Sequence, residues 1–95
     1  MTPLEQLVGA RELIAEHGWV RGNYGDRNVG FCALGALHVA SKSWTSWGAQ
    51  NLLVKAGGAG ALGVISHNDI HIQSKQEALE WFDKAIRLAQ AEVAA

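Results

Sequence analysis

The stretch SKQEALEWFDKAIRLAQAEV, Ser74 to Val93, decides the fold. Ser74 followed three residues on by Glu77 forms a capping box, in which the hydroxyl accepts an amide of the first helical turn and the carboxylate reaches back to the cap. Beyond it Leu79, Phe82, Ile86, Ala89 and Val93 recur at intervals of three and four, the spacing that lines one face of an α-helix. Glu80 to Lys84 and Asp83 to Arg87 stand four apart with the acid first, the favourable order for helical ion pairs. A helix over 75–93 follows, and its apolar face demands partners.

Those partners lie upstream. Residues 57–63, GGAGALG, hold four glycines in seven positions, so an irregular connector is expected there. After it Val64 and Ile65 return to the core, His67 to Asp69 turn the chain, and Ile70 and Ile72 anchor a short extended piece. Trp47 to Ala56 reads as a helix with Leu52, Leu53 and Val54 as its apolar part, preceded by the hydroxyl-rich link Ser41 to Ser46 that carries Trp44. The run FCALGALHVA, Phe31 to Ala40, has almost no polar side apart from His38, which fits a central helix contacted on several faces. Its small residues Cys32, Gly35, Ala36 and Ala40 admit neighbouring backbones closely, which offsets the roughly 1 kcal/mol a helical glycine costs. RGNYGDRNVG, residues 21–30, reads as a solvated loop with a tight turn at Asn23 to Gly25. At the start Thr2, Pro3 and Glu5 make another capping box, and Leu4, Leu7, Val8, Ala10 and Ile14 form an inward stripe. Gly18 then suits a left-handed C′ position, with Ile14 and Trp19 touching across a Schellman turn and Trp19 acting as a structural plug. The expected fold is all-α, one domain of four helices over 3–17, 30–41, 47–56 and 75–93 with helix 30–41 in the middle. A pair of strands in 20–29 and 64–72 is the main alternative.

Composition supports one core. With 95 residues, 48% hydrophobic and 18% charged, the chain is too short for two cores and too balanced for disorder. Eight Lys plus Arg against nine Asp plus Glu give a net charge of −1, so no broad basic face for nucleic acid is expected. One cysteine makes no internal disulfide, and Glu5, Gln6, Arg11 and Glu12 interrupt the first apolar residues, so neither secretion nor membrane insertion is expected. The expected compartment is the cytoplasm, and the marginal stability of so small a chain leaves homo-oligomerisation open.

Several residues carry candidate chemistry. Cys32 near a helix start is a candidate nucleophile, with His67 or His71 as base and Asp69 to orient it, although a cysteine amid apolar residues is ordinarily an inert core atom. A metal held by His67, Asp69 and His71, with Cys32 or His38 as a distant ligand, would need both imidazoles on one helical turn, and the Asn68-Asp69 pair between them favours a turn instead, so no metal is expected. Gly58, Gly60 and Gly63 formally satisfy GxGxxG but open no helix after a strand, so no dinucleotide or other cofactor is expected. Asn68 and Asp69 read as a turn that stops one element, with a pairing of Asp69 to Arg21 or Arg27 as the functional alternative. Trp44 and Trp47 are the candidate binding residues, because four tryptophans are many for this length and exposed indoles mark protein-binding hot spots.

The segments GFCALGALHVA (Gly30 to Ala40) and ISHND (Ile65 to Asp69), followed by a capped final helix, resemble a family of short uncharacterised proteins from actinobacteria and their phages. Gly18, Trp19, Cys32, Gly35, Ala36, Leu37, Asn68, Asp69 and Ser74 sit where that pattern places them, over roughly residues 4–40 and 64–89. That family usually carries Trp at the position of His67 and often Gly-Arg-Thr at Ile72, Gln73 and Ser74, so a role built on His67 departs from it. The resemblance implies a fold and a bacterial or phage origin, and brings no catalytic residue. The residues favour a non-enzymatic module that binds a protein, and a small enzyme with Cys32 as nucleophile is the alternative.

Overall fold

Thr2 starts the first helix through both halves of its capping box: its hydroxyl accepts the Glu5 amide at 3.1 Å, and its own amide donates to the Glu5 carboxylate at 2.9 Å. Those bonds hold the Glu5 carboxyl below its usual range. Helix α1 (Pro3–His17) buries Leu7, Ala10 and Ile14 and ends at Gly18, whose amide donates to the Ile14 carbonyl at 2.8 Å. The positive φ of Gly18 is as expected, but its ψ of 174° is extended, so no left-handed Schellman turn forms. Trp19 instead runs alongside Phe31 in a parallel bridge. The computed structural model describes residues 1–43, 46–58 and 63–94.

The loop after Trp19 contains a small hairpin, β1 (Gly25–Asp26) antiparallel to β2 (Gly30–Phe31). Its turn lies later than Asn23 to Gly25, because the Asp26 carboxylate accepts the amides of Asn28 at 2.8 Å and Val29 at 3.1 Å. The same pairing corrects the start of the next helix. Gly30 and Phe31 spend their backbone groups on β1 and on Gly18 to Val20, so α2 (Ala33–Ser41) begins three residues later than expected and Cys32 becomes its N-cap. Close packing explains Gly35. A side-chain carbon there would come within 2.1 Å of the Tyr24 carbonyl oxygen, so the loop lies directly on the helix.

Helix α3 (Trp47–Gly57) buries Ala49, Leu52 and Leu53. The chain then forms a short helix, α4 (Val64–Ser66), which widens into a π-turn over His67–His71, with the Ile72 amide reaching the His67 carbonyl at 3.1 Å. This corrects the turn expected at His67 to Asp69 and the strand alternative over 64–72. Ile72 is extended and buried, whereas Ile70 is 64% exposed and anchors nothing.

Helix α5 (Lys75–Ala94) starts where Ser74 accepts the Glu77 amide at 3.2 Å. The Glu77 carboxylate reaches the amide of Gln73, one residue before the cap. The buried stripe of α5 is Ala78, Trp81, Phe82, Ala85 and Ala89, rotated from the expected one, and Val93 is exposed. Trp81 causes the rotation: its ring is the larger apolar load, and its N–H finds the Leu53 carbonyl at 2.8 Å inside the core. The fold is an all-α domain, with α2 deeply buried and α1 packed against α2, α3 and α5. Among the described residues no helix is long and apolar enough to cross a membrane.

Candidate functional site

Asn68 organises the middle of the molecule. Fully buried in the π-turn, its side-chain oxygen accepts the Trp19 indole N–H at 2.8 Å and the Ala33 amide at 3.0 Å. Its side-chain nitrogen donates to the Val20 carbonyl at 3.1 Å and to the Asp69 carboxylate at 3.0 Å. One side chain thus ties the exit of α1 and the start of α2 to the π-turn, and all its hydrogen-bonding capacity is met. Asp69 also accepts the Gly22 amide at 3.0 Å, so it pins the loop and pairs with neither Arg21 nor Arg27. Arg21 lies over the Trp19 ring, 5.4 Å from its centre, and donates to the Ile72 carbonyl.

Cys32 and Asp69 share the lining of a cavity of about 210 Å3 with Asn23, Tyr24 and Ile65. The thiol is 4% exposed, and its sulfur accepts the Gly35 amide at 3.3 Å. Burial pushes the Cys32 thiol up; the amides of Gly35 and Leu34 oppose that rise, and the Asp69 charge adds to it. His67 and His71 do not join this cavity. Their rings, 5.1 Å apart, line a groove on the other side of the π-turn, and His67 packs 4.6 Å from Trp81. The His67 Nδ1 is buried without a hydrogen-bond partner, and burial, then the neighbouring His71, pushes its pKa below the usual 6.5. Among the described residues no three His, Cys, Asp or Glu are grouped to hold a metal.

The groove, about 500 Å3, runs between the end of α3, the π-turn and α5. It joins a second cleft of about 340 Å3 lined by Lys55, Ala56, Lys84, Arg87 and Leu88, with Ala56, Lys84 and Arg87 shared between the two. These basic residues do not stand out in the sequence, because helical spacing pairs Lys84 with Glu80 and Arg87 with Asp83. In the fold the two acids have other partners. Arg11 of α1 takes the Asp83 carboxylate through two nitrogens, at 2.6 and 3.3 Å, and the Glu80 carboxylate accepts from Gln76 at 3.5 Å. Among the described residues Lys84 and Arg87 have no ion pair, and Lys55 has only a contact of 4.0 Å with Glu92.

Of the two candidate binding tryptophans, Trp47 occupies the first turn of α3 and is 65% exposed. The neighbouring Gly48 packs against Pro3 at the start of α1, and Pro3 also lines a cleft of about 150 Å3 together with Thr2, Leu4, Leu52, Ala89, Glu92 and Val93. Trp44 and Gly60 lie outside the described residues.

A protein-family model described as a family of unknown function (DUF6197) matches residues 1–88. No curated protein and no solved structure matches the chain.

Proposed function

Because the chain belongs to the DUF6197 family of unknown function, we propose its role from its own surface: it is a small non-enzymatic module that binds a protein partner through the patch around Trp47. The observation that carries this reading is the contrast among its tryptophans. Trp19 and Trp81 turn inward and give their N–H groups to Asn68 and Leu53, while Trp47 presents its ring to solvent. A large aromatic at 65% exposure, next to Gly48 and the mostly apolar cleft that Pro3 lines, has the make-up of an interface hot spot. Trp44 belongs to the same proposal. The resemblance of Gly30 to Ala40 and Ile65 to Asp69 to proteins of actinobacteria and their phages supports a bacterial or phage origin, with the cytoplasm as the place of action.

The test is capture of partners from an actinobacterial lysate by the wild-type protein and by a Trp44→Ala, Trp47→Ala variant. The reading expects specific partners to be lost with the variant, and an identical set of bound proteins removes the patch from consideration. The second reading, a cysteine enzyme, rests on Cys32 lining a cavity with Asp69. A buried thiol beside a carboxylate disfavours the thiolate that such chemistry needs, and both nearby imidazoles face the other groove. Rapid labelling of native Cys32 by iodoacetamide at neutral pH would restore it.

A further inference from the structure

We propose that the groove between α3 and α5 is a second docking surface, and that its occupant is an acidic, leucine-bearing segment of a protein partner. The first observation is electrostatic. Arg11 holds Asp83, so Arg87 stands on α5 without the acid its spacing supplies, and among the described residues Lys84 beside it has no carboxylate within ion-pair distance. Lys55 faces them from α3 across the same cleft. Three exposed cations around one cleft, none held closer than 4.0 Å to a carboxylate, are complementary to carboxylates from outside.

The second observation is apolar. Between these cations the cleft is floored by Ala56 and by Leu88, which is 38% exposed, and it continues into the groove beside Ile72 and the imidazole of His71. An aliphatic side chain seated on Ala56 and Leu88, with acidic neighbours reaching Lys84 and Arg87, satisfies both features at once. The charge pattern also separates a peptide from a nucleic acid. Beyond the cleft the groove is also lined by the carboxylates of Glu77, Glu80 and Asp83, the last held by Arg11, and a continuous phosphate backbone would have to cross them. A peptide changes character residue by residue and places no anion there.

Binding is read by fluorescence anisotropy with a short fluorescein-labelled peptide of repeated Glu-Glu-Leu-Leu, compared with a Lys-Lys-Leu-Leu counterpart and a single-stranded DNA oligomer. The acidic peptide is expected to bind, to weaken with added salt, and to lose about tenfold in affinity with a Lys84→Glu, Arg87→Glu variant whose circular dichroism matches wild type. Amide shifts in an NMR titration are expected at Lys55, Ala56, Lys84 and Arg87, while the Trp47→Ala variant binds the peptide as wild type does. That last arm separates this surface from the patch around Trp47. Absence of binding, equal affinity in the charge-reversed variant, shifts confined to other residues or preferential binding of the DNA each overturns the proposal.

Discussion

Asn68 shows how far a single residue escapes its sequence. Next to Asp69 it reads as a local turn residue, because asparagine bonds amides two positions on. In the fold its partners are Trp19, Val20 and Ala33, 35 to 49 residues away, and no local pattern announces them. Asn68→Ala leaves two N–H groups and a carbonyl unpaired in or near the core, so it is expected to cost about 2 to 5 kcal/mol in urea unfolding. A loss within error of zero would deny Asn68 its bridging role. Asn68→Asp is expected to cost more at neutral pH, since it also removes the donor to Val20 and sets a charge against Asp69. His67 gives the pH counterpart. Its folded pKa lies below the ordinary 6.5 because burial, then His71, disfavours the charged form, so protons bind the unfolded chain more readily. Its stabilising contribution is complete above about pH 6.5 and is lost as the pH falls below that value toward the folded pKa. Thermal melts are expected to fall on acidification toward pH 5, and His67→Gln is expected to flatten that slope; an unchanged slope would place the titration elsewhere.

At the scale of elements, the legible helices are those whose ends are built locally. The capping residues Thr2 and Glu5 fix the start of α1, and Ser74 fixes that of α5, within a few residues of chain. The start of α2 was less legible because Gly30 and Phe31 are claimed by β1 and by the chain after Gly18, a competition that only tertiary structure reveals. The π-turn was illegible for a similar reason: Asn68 is buried by distant partners, while the sequence around it carries turn chemistry. The cap and the core of α5 differ in worth. Ser74→Ala removes one exposed acceptor and is expected to cost about 0.5 to 2 kcal/mol, whereas Phe82→Ala empties a fully buried site and is expected to cost about 3 to 5 kcal/mol. Chemical denaturation orders the two. A Phe82→Ala protein as stable as wild type would mean that α5 packs by a different face.

Across the whole molecule, the candidate surfaces depend on which charges the fold pairs. The expected Asp83 to Arg87 pair is a property of one helix, but α1 packs against α5 and brings Arg11 onto the same carboxylate with two-point geometry. Both partners are about one-third exposed or more, at 34% and 40%, so solvent screens the bridge and it contributes about 1 kcal/mol or less to stability. Its consequence for binding is larger than that figure suggests. With Arg11 in place Asp83 is occupied, and Arg87 is left to the groove; without it Asp83 stands one helical turn from Arg87 and is free to pair with it. Arg11→Ala is therefore expected to lower the melting temperature only slightly, yet to weaken the acidic peptide although Arg11 lies on a different helix from the cations that meet it. Arg11→Ala, Asp83→Ala together should restore the affinity, because the competing carboxylate is gone. A single variant that binds as wild type, or a double variant that stays weak, would show that α1 has no part in keeping the groove basic.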